Sequence, residues 1–347
     1  MRITFLLPGI GLVGGIKTVF EYANRLVERH HSVSIVYPYP TSHFSARQKV
    51  MEFSRRAQIA SGLRKFPDFF DLKADLVAAE SLEDEKYIPN GDAVVATWWE
   101  TAYDVARYGQ EKGSKYYLIQ HYEIWGGPKD KVDASYRLGL HNIAVSDWVR
   151  GVLEGIGAKV EAVVPIGIDF SEFYPVETRR GSGIRILTPY RDQKWKGVDD
   201  ALEIFKIIRD RHDNAQLVMY GTKIEEPLPE EVEFHLKPSI QELNELYNSC
   251  DIFLYTSWYE GFALPPLEAM ACKIPVVSTK VGILNDFSSK DALLCPPRDI
   301  LGLAEGISTL IDRKDYRAEI AENGYNAVKA FTWEKAVNKL ESLLKHE

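Results

Sequence analysis

The chain has 347 residues, with 42 Lys and Arg against 50 Asp and Glu, so its formal charge is −8. At about 150 residues per domain, this length predicts roughly two domains. Hydrophobic residues make up 45% and charged residues 27%, which excludes a disordered chain, and the acidic balance argues against nucleic-acid binding. Three cysteines are too few for a disulfide framework and none forms a C-x-x-C pair, so a reducing cytoplasm is expected.

Short β-branched apolar runs alternate with helical patterns through the first half of the chain. Such alternation predicts a parallel sheet covered by helices on both faces. The first run, up to Ile16, is too short to cross a bilayer and lacks the pattern of a signal peptide. The predicted strands are Ile3–Leu7, Val33–Tyr37, Ala93–Thr97, Tyr116–Ile119, Ile143–Ser146 and Ala162–Val164.

Residues 41–90 break this rhythm. Basic residues alternate there with aromatic ones: Arg47, Lys49, Arg55, Arg56, Arg64 and Lys65 with Phe53, Phe66, Phe69 and Phe70. One interpretation is a solvated helix pair with ordinary core aromatics. The other is a contact with an anionic acceptor, or a weak membrane-surface contact through residues 41–70.

The strand and helix pattern then restarts after a linker predicted at Phe170–Gly183, whose proline, glycines and paired arginines interrupt it. Helices are predicted at Val198–Arg211 and Ile240–Asn248, and a last amphipathic helix follows Thr332, a suitable N-cap. The second set of predicted strands is Ile184–Thr188, Gln216–Tyr220, Asp251–Tyr255, Pro275–Ser278 and Ala292–Cys295. The fold prediction is therefore α/β, with two doubly wound parallel-sheet domains and a cleft between them.

A G-x-G-x-x-G motif runs from Gly9 to Gly14, between a predicted strand and a helix. A dinucleotide-binding fingerprint also requires an acidic residue at the end of the second strand. That strand ends at Tyr37-Pro38, so an NAD-dependent enzyme is disfavoured. Gly14 and Gly15 still allow backbone to approach a phosphate at a helix N-terminus, although a tight turn that simply needs glycine explains them equally well.

Basic residues follow the first strand of the second half. Arg191 and Lys196, just before Gly197, leave the carboxyl end of a predicted strand, where open α/β sheets bind ligands. They would offer a guanidinium fork and a point charge to a pair of phosphates. Basic loops are common, so this signal is weak alone. No two aspartates are separated by one residue, so a metal-bridged diphosphate site of the Asp-x-Asp kind is not predicted.

Two glutamates eight residues apart bracket the loop that follows another predicted strand. Between Glu260 and Glu268, Gly261 allows an unusual backbone and Pro265-Pro266 opens a helix. Carboxylates accept hydrogen bonds from vicinal hydroxyls and loop amides bind hydroxyls or phosphate, so a sugar-rich ligand fits. The alternative is that Glu268 complements the helix dipole and Glu260 is solvated.

These motifs together resemble the group 1, family 4 retaining glycosyltransferases, which have the GT-B fold. The strongest match is Glu260 to Glu268 in Glu-Gly-Phe-Ala-Leu-Pro-Pro-Leu-Glu, the E-x7-E motif of that family. Further matches are R-x4-K-G at Arg191, the Gly14-Gly15 loop and Pro165-Ile166-Gly167-Ile168-Asp169. The resemblance implies an acceptor-binding Rossmann-like domain at residues 1–168, a donor-binding one at 169–330, and a C-terminal helix at 331–347 that crosses back to the first.

The resemblance also implies a role for each matching position. In the donor site, Glu268 would hold the ribose, Glu260 would face the transferred sugar, and Arg191 and Lys196 would stabilise the departing diphosphate. His121, at the end of a strand, would lie near the donor sugar, unless it only makes a structural hydrogen bond. The other implied binding residues act mainly through backbone: Gly14 and Gly15 at the diphosphate, Lys237 and Pro238 at the base, and Gly261, Phe262, Ala263 and Leu264 at the sugar or phosphate.

The sequence departs from the family pattern at three places: Ala263 replaces a common glycine, Tyr122 a frequent aspartate, and Val281–Asp286 lacks the usual V-G-G-x-x-E. The expected reaction is metal-independent, retaining hexose transfer from a nucleotide diphosphate sugar, without a cofactor. The expected acceptor is a glycan or a lipid-linked molecule of bacterial polysaccharide or cell-surface glycan synthesis, and a homodimer and a peripheral position at the inner membrane face stay open. The alternatives are a nucleotide-sugar epimerase and a non-catalytic sugar-nucleotide binding subunit.

Overall fold

The structure is a computed structural model that describes residues 1–11, 14–39, 67, 69–177 and 183–345. The chain divides into two compact units, Met1–Val164 with Val337–Glu347 (unit 1) and Pro165–Ala336 (unit 2). Most of the segment 41–70, in which basic and aromatic residues were proposed to contact an anionic acceptor or a membrane surface, lies outside the described residues. The part of the predicted linker Phe170–Gly183 that is described belongs to unit 2.

Unit 1 is built on a parallel sheet of seven strands in the order β3-β2-β1-β4-β5-β6-β7. Phe5 in the central strand pairs with Ile35 on one side and Val95 on the other, and all three are fully buried. The strands are β1 Arg2–Leu6, β2 Ser32–Pro38, β3 Asp75–Ala79, β4 Ala93–Ala96, β5 Ser114–Ile119, β6 His141–Ala144 and β7 Ala162–Val163. The helices of this unit are α1 Gly14–Glu28, α2 Trp99–Arg107, α3 Lys129–Ser135 and α4 Asp147–Gly155.

Unit 2 repeats this plan with six parallel strands in the order β10-β9-β8-β11-β12-β13. Its strands are β8 Ile184–Pro189, β9 Ala215–Gly221, β10 Val232–Leu236, β11 Ile252–Tyr255, β12 Val276–Thr279 and β13 Leu293–Cys295. Its helices are α5 Val198–Arg211, α6 Ile240–Asn248, α7 Leu264–Ala271, α8 Ile300–Asp312 and α9 Lys314–Val328. Two parallel-sheet, Rossmann-like units confirm the predicted fold class.

The last helix, α10 Trp333–Lys345, begins in unit 2 and ends in unit 1. Its apolar residues Val337 and Leu340 are fully buried. Glu341 accepts hydrogen bonds from Arg29 at 2.6 Å and pairs with His31 at 2.9 Å. These contacts confirm the predicted return of the C-terminal helix to the first unit.

Two strands were missed by sequence analysis. Both are edge strands: β3 pairs only with β2, and β10 only with β9. The interpretation of residues 41–90 as a helix pair is wrong for its described part, because β3 lies there. Phe69 stacks on the buried Phe20 and Phe70 lies tilted against it, so these two partly buried rings pack on the core, as the first interpretation of that segment expected of its aromatics.

Candidate active site

The predicted donor-site loops emerge at the carboxyl edge of the unit 2 sheet. Because β8 lies between β9 and β11, chain order reverses beside it, and this topological switch point is where open parallel sheets bind ligands. The loop after β8 carries Arg191 and Lys196, and the loop after β11 carries Glu260. The two basic residues and the glutamate therefore leave neighbouring strands at the same edge.

Backbone contacts lock these two loops together. The Trp258 N–H donates to the Trp195 carbonyl at 2.7 Å, and the Thr256 hydroxyl donates to the Gly197 carbonyl at 2.7 Å. Gly197 has φ +70°, and a Cβ there would lie 2.2 Å from the Thr256 carbonyl oxygen. Only glycine satisfies both conditions, which explains the glycine that follows Lys196.

An ion pair between the half-buried Lys196 and the buried Glu260 joins the two loops. Lys196 Nζ donates to Glu260 Oε1 at 2.7 Å, and the Tyr255 hydroxyl donates to the same oxygen at 2.6 Å. Glu260 is only 6% exposed, so its interpretation as a solvated charge is wrong. Burial, and then the charge of Glu260, raise the pKa of Tyr255 far above its usual value, so this hydroxyl stays a donor.

Glu268 is held by a second chain of buried tyrosines. The Tyr247 hydroxyl, from α6, donates to Glu268 Oε2 at 2.9 Å and lies 2.8 Å from the Tyr220 hydroxyl at the end of β9. Burial raises the pKa of both tyrosines, with Glu268 as the second cause. Glu268 therefore has a fixed partner in addition to its place in the first turns of α7.

The charge of Arg191 acts on two of the buried tyrosines. Its Nη1 donates to the Tyr190 carbonyl at 2.8 Å, and its positive charge lowers the pKa of Tyr220 and of Tyr255 against the larger effect of burial. Glu268 acts on the pKa of Tyr220 in the opposite direction. The charges of Arg191 and Glu268 therefore act on the same buried hydroxyl, although the two residues are far apart in sequence.

The unusual backbone of the second loop is at Ala263 rather than at Gly261. Ala263 has φ +76°, in the left-handed region that favours glycine, and is the residue before α7. The Phe262 carbonyl accepts from the Ile283 N–H at 2.9 Å, so its position is fixed. Within the part of the chain that the structure describes, the N–H groups of Phe262, Ala263 and Leu264 donate to no acceptor.

Lys237 and Pro238 lie further along the same edge, at the end of β10. Lys237 is exposed, has φ +49°, and donates its N–H to the Gly221 carbonyl at 2.7 Å. Two strands separate β10 from β11. The structure thus leaves these two residues at the end of the site, without a hydrogen bond to Arg191, Lys196 or either glutamate among the described contacts.

In unit 1, the predicted residues follow β1 and β5. Gly14 and Gly15 begin α1, and the Gln120 side chain donates to the Gly15 carbonyl at 3.0 Å. Neither glycine has a positive φ, and a Cβ at Gly14 would meet nothing within 4 Å. Neither backbone strain nor packing within the described chain therefore requires glycine here, so the tight-turn explanation is not supported.

His121 follows β5 and lies among aromatic rings. Its Nδ1 is 3.2 Å from the Tyr122 carbonyl, and its ring meets that of Trp125 edge-on, with centroids 4.3 Å apart. The next residue but one, Glu123, is 2% exposed and accepts from the Trp99 N–H and the Tyr117 hydroxyl. Burial raises the pKa of Glu123 to about 8.

Sequence reasoning missed Glu123, Trp125 and the supporting tyrosines. Tyr220 and Tyr255 lie at or beside the ends of predicted strands, and this position could have marked them as site residues. The sequence around Tyr247 and Glu123 contains no comparable signal. Among the residues described, no three His, Cys, Asp or Glu side chains cluster as metal ligands, and no helix combines the length and apolar character that crossing a bilayer requires.

Residues 170–327 match the family described as Glycosyl transferases group 1. An MMP α-(1→4)-mannosyltransferase of Mycolicibacterium hassiacum is 32% identical over 50% of this chain, and the chain spans 45% of its length.

The chain also resembles two solved structures. Sucrose-phosphate synthase from Thermosynechococcus elongatus has a TM-score of 0.74 at 16% identity over 99% of this chain and 98% of the other. HepE from Anabaena, solved with UDP-glucose, has a TM-score of 0.74 at 14% identity over the full length of both chains. The two structures confirm the GT-B fold.

Proposed function

We propose that this chain, which matches the group 1 glycosyltransferases over residues 170–327, transfers a hexose from a nucleotide diphosphate sugar to a hydroxyl of a glycan or lipid-linked acceptor. The proposed reaction retains the anomeric configuration and uses no metal. The observation that carries this proposal is the Lys196–Glu260 pair, in which the buried Glu260 is held by Tyr255, in the loops at the switch point that also carry Arg191. The HepE structure, which contains UDP-glucose, supports the donor class.

In this proposal, Arg191 and Lys196 bind the diphosphate and stabilise it as it departs. The ammonium group of Lys196 has three N–H donors, and the bond to Glu260 uses one of them. Glu260 therefore fixes the ammonium and leaves it donors for a phosphate. Pre-oriented cations at the place where charge develops are among the largest contributions to catalysis.

Glu268 is proposed to accept hydrogen bonds from the ribose hydroxyls, in an orientation fixed by Tyr247. The N–H groups of Phe262, Ala263 and Leu264 at the start of α7, with that of Gly261 before them, suit the sugar or phosphate oxygens. Gly14 and Gly15 are proposed to approach the diphosphate, since nothing in the described chain demands glycine there. His121 is proposed to act near the transferred sugar, and the edge at Lys237 and Pro238 to contact the base.

Retention requires attack on the face that the leaving group vacates, or two successive inversions. Glu260 is ill suited as a nucleophile, because it is buried and already bonded to Lys196 and Tyr255. We therefore assign a same-face displacement. The bond from the anomeric carbon to phosphate breaks, the bond to the acceptor oxygen forms, and the acceptor proton passes to the departing phosphate oxygen.

The test is a thermal-shift panel of UDP-glucose, UDP-N-acetylglucosamine and GDP-mannose, because a ligand that binds only the native state raises its melting temperature. At least one nucleotide sugar should raise the Tm, and the product nucleotide should appear on adding an acceptor mixture. A panel without any shift would contradict the proposal. Conversion of the donor alone into an isomer, seen by NMR, would favour the epimerase, and binding without turnover would favour a non-catalytic subunit.

We also propose that the protein works in the cytoplasm. Cys250 and Cys272 are buried free thiols, and no disulfide occurs among the residues described. Burial raises the pKa of the Cys250 thiol to about 11, which keeps it protonated and unreactive. Mass spectrometry after alkylation of the protein from cell extract under denaturing conditions, which expose the buried thiols, should find all three cysteines reduced.

A further inference from the structure

A rigid loop after β5 presents an exposed tryptophan beside the proposed catalytic histidine. Trp125 is 41% exposed, and its ring lies 4.3 Å from that of His121 and 6.2 Å from that of Trp98. We call Trp98, His121 and Trp125 the aromatic platform. It stands where β4 and β5 end, at the carboxyl edge of the unit 1 sheet.

The exposure of Trp125 is not a result of a loose loop. Glu123 anchors the loop through the Trp99 N–H at 2.8 Å and the Tyr117 hydroxyl at 2.9 Å. The next turn is packed equally tightly, because a Cβ at Gly126 would lie 2.3 Å from the Trp98 ring and one at Gly127 would lie 2.5 Å from the Trp99 ring. The chain thus holds Trp125 in the solvent-facing position by buried hydrogen bonds and close packing.

Exposing a ring of this size gives up apolar burial that would otherwise stabilise the fold. Scattered exposed apolar residues are normal, but Ile124 and Trp125 are adjacent and lie against two further rings. The apolar C–H face of a pyranose ring matches a flat indole face, while its hydroxyls remain at the ring edge. An aromatic platform at a ligand-binding edge therefore fits a sugar better than it fits a phosphate or an alkyl chain.

A neighbouring cavity of unit 1 has the complementary polar character. It measures about 630 Å³ and is lined by Trp99, with carboxylates at Glu80, Glu83, Glu100 and Asp104. Arg107 and Lys131 also line it, and Arg107 pairs with Asp104 at 2.6 Å. Four carboxylates against two basic residues leave the lining net acidic, which disfavours an anionic ligand, and carboxylates accept hydrogen bonds from hydroxyls.

We propose that the aromatic platform stacks on a pyranose ring of the acceptor, so that the acceptor is an unphosphorylated carbohydrate at its recognised end. This inference rests on the proposed glycosyl transfer and specifies its acceptor. The ring is assigned to the acceptor because the charged donor groups proposed above, Arg191, Lys196, Glu260 and Glu268, all belong to unit 2. Unit 1 contributes only Gly14, Gly15 and His121 to the proposed donor contacts, and Trp98 and Trp125 are not among them.

Saturation-transfer NMR with methyl α-glucopyranoside, methyl α-mannopyranoside and methyl β-galactopyranoside tests the platform directly. The expected result is transfer to the ring protons of at least one glycoside. The signal should fall at least tenfold in Trp125→Ala and Trp125→Leu and persist within about threefold in Trp125→Phe, which keeps an aromatic face. Glucose 6-phosphate should give a weaker signal than the methyl glucoside.

The matched control is Tyr174→Ala, which removes an exposed aromatic side chain of unit 2 (46% exposed) and should leave the signal unchanged. Equal signals in wild-type and Trp125→Leu protein, or none with any glycoside, overturn the proposal. Nucleotide-sugar thermal shifts are recorded on the same variants. Their absence in wild-type protein would refute glycosyl transfer itself, whereas normal shifts with no glycoside signal would refute only the platform.

Discussion

The carboxyl edges of the two sheets present different chemistry. The edge of unit 2 holds fixed charges, with Lys196 paired to the buried Glu260 and Arg191 acting electrostatically on two buried tyrosines. The edge of unit 1 holds rings, with Trp98 and Trp125 around His121. The family match covers residues 170–327 and so falls on the charged edge. The rings of unit 1 lie outside that match, so the two edges differ both in chemistry and in their relation to the family model.

The largest expected effect is at the charged edge. Arg191→Ala removes a cation from the place where diphosphate charge develops, and the loss of one such group raises the barrier by about 3 kcal/mol. We expect donor turnover, followed by HPLC, to fall by roughly two orders of magnitude. The control Arg211→Ala removes an exposed arginine that pairs with Glu305. Near-normal turnover by Arg191→Ala would remove Arg191 from the mechanism.

The substitution Lys196→Met tests the charged edge of unit 2 a second time. It removes the charged donor of the buried Glu260 while the Tyr255 hydroxyl still donates to it, so the free energy of unfolding should fall by about 2 kcal/mol, and catalysis should fall with it. Urea unfolding measures the first effect and turnover the second. In the double variant Lys196→Met with Glu260→Gln, stability should recover and activity should not. A stable and active single variant would show that the pair is only structural.

The pH dependence of stability tests the buried carboxyl of Glu123, which lies in unit 1 at the edge that carries the rings. Its pKa in the folded protein is raised to about 8, so the native state keeps a proton that the unfolded carboxyl loses near pH 4.5. Stability should therefore decrease as pH rises between these values, by about 2 kcal/mol from pH 6 to 7.5. Glu123→Gln should flatten this dependence in urea unfolding, and Glu100→Gln, which changes an exposed carboxylate, should not. Equal slopes for wild-type and Glu123→Gln protein would show that Glu123 is ionised when folded.

The smallest expected effect is at Glu268. Glu268→Gln keeps the shape of the side chain but loses charged hydrogen bonds to the ribose, so nucleotide Kd should rise about tenfold, or about 1.4 kcal/mol. Calorimetry with UDP and GDP measures this change, and Glu305→Gln, an exposed glutamate of the same unit, serves as the control. Unchanged affinity in Glu268→Gln would contradict the ribose assignment.

Interior strands and the charged loops were predictable from sequence for a common physical reason. A strand buried on both faces reads as a continuous apolar run, and helices α5 and α6 have the predicted bounds Val198–Arg211 and Ile240–Asn248. Edge strands are less constrained, and β10 mixes Glu233 and His235 with apolar residues, so it was missed.

The supporting contacts of the site were not predictable, because they join elements that only the tertiary structure brings together. Tyr247 reaches Glu268 from a different helix, and Glu123 looks like an ordinary polar loop residue until its burial is known. The left-handed backbone was likewise expected at Gly261, where glycine makes it inexpensive, and occurs at Ala263 instead. Local sequence therefore identified loop residues that the structure places at one edge of the sheet, but not the residues that hold them there.

Unit 1 is built from two separate parts of the chain, and this affects when it can fold during synthesis. Its first part ends at Val164, yet the helix face that carries Val337, Leu340 and Leu344 is translated after all of unit 2. A ribosome adding about 5–20 residues per second needs on the order of ten seconds or more to cover that interval. Throughout it, the sites that later receive these three side chains and Glu341 are uncovered in the nascent chain. Unit 2 has no such delay, so it can be complete while the half that was begun first still waits for its final segment.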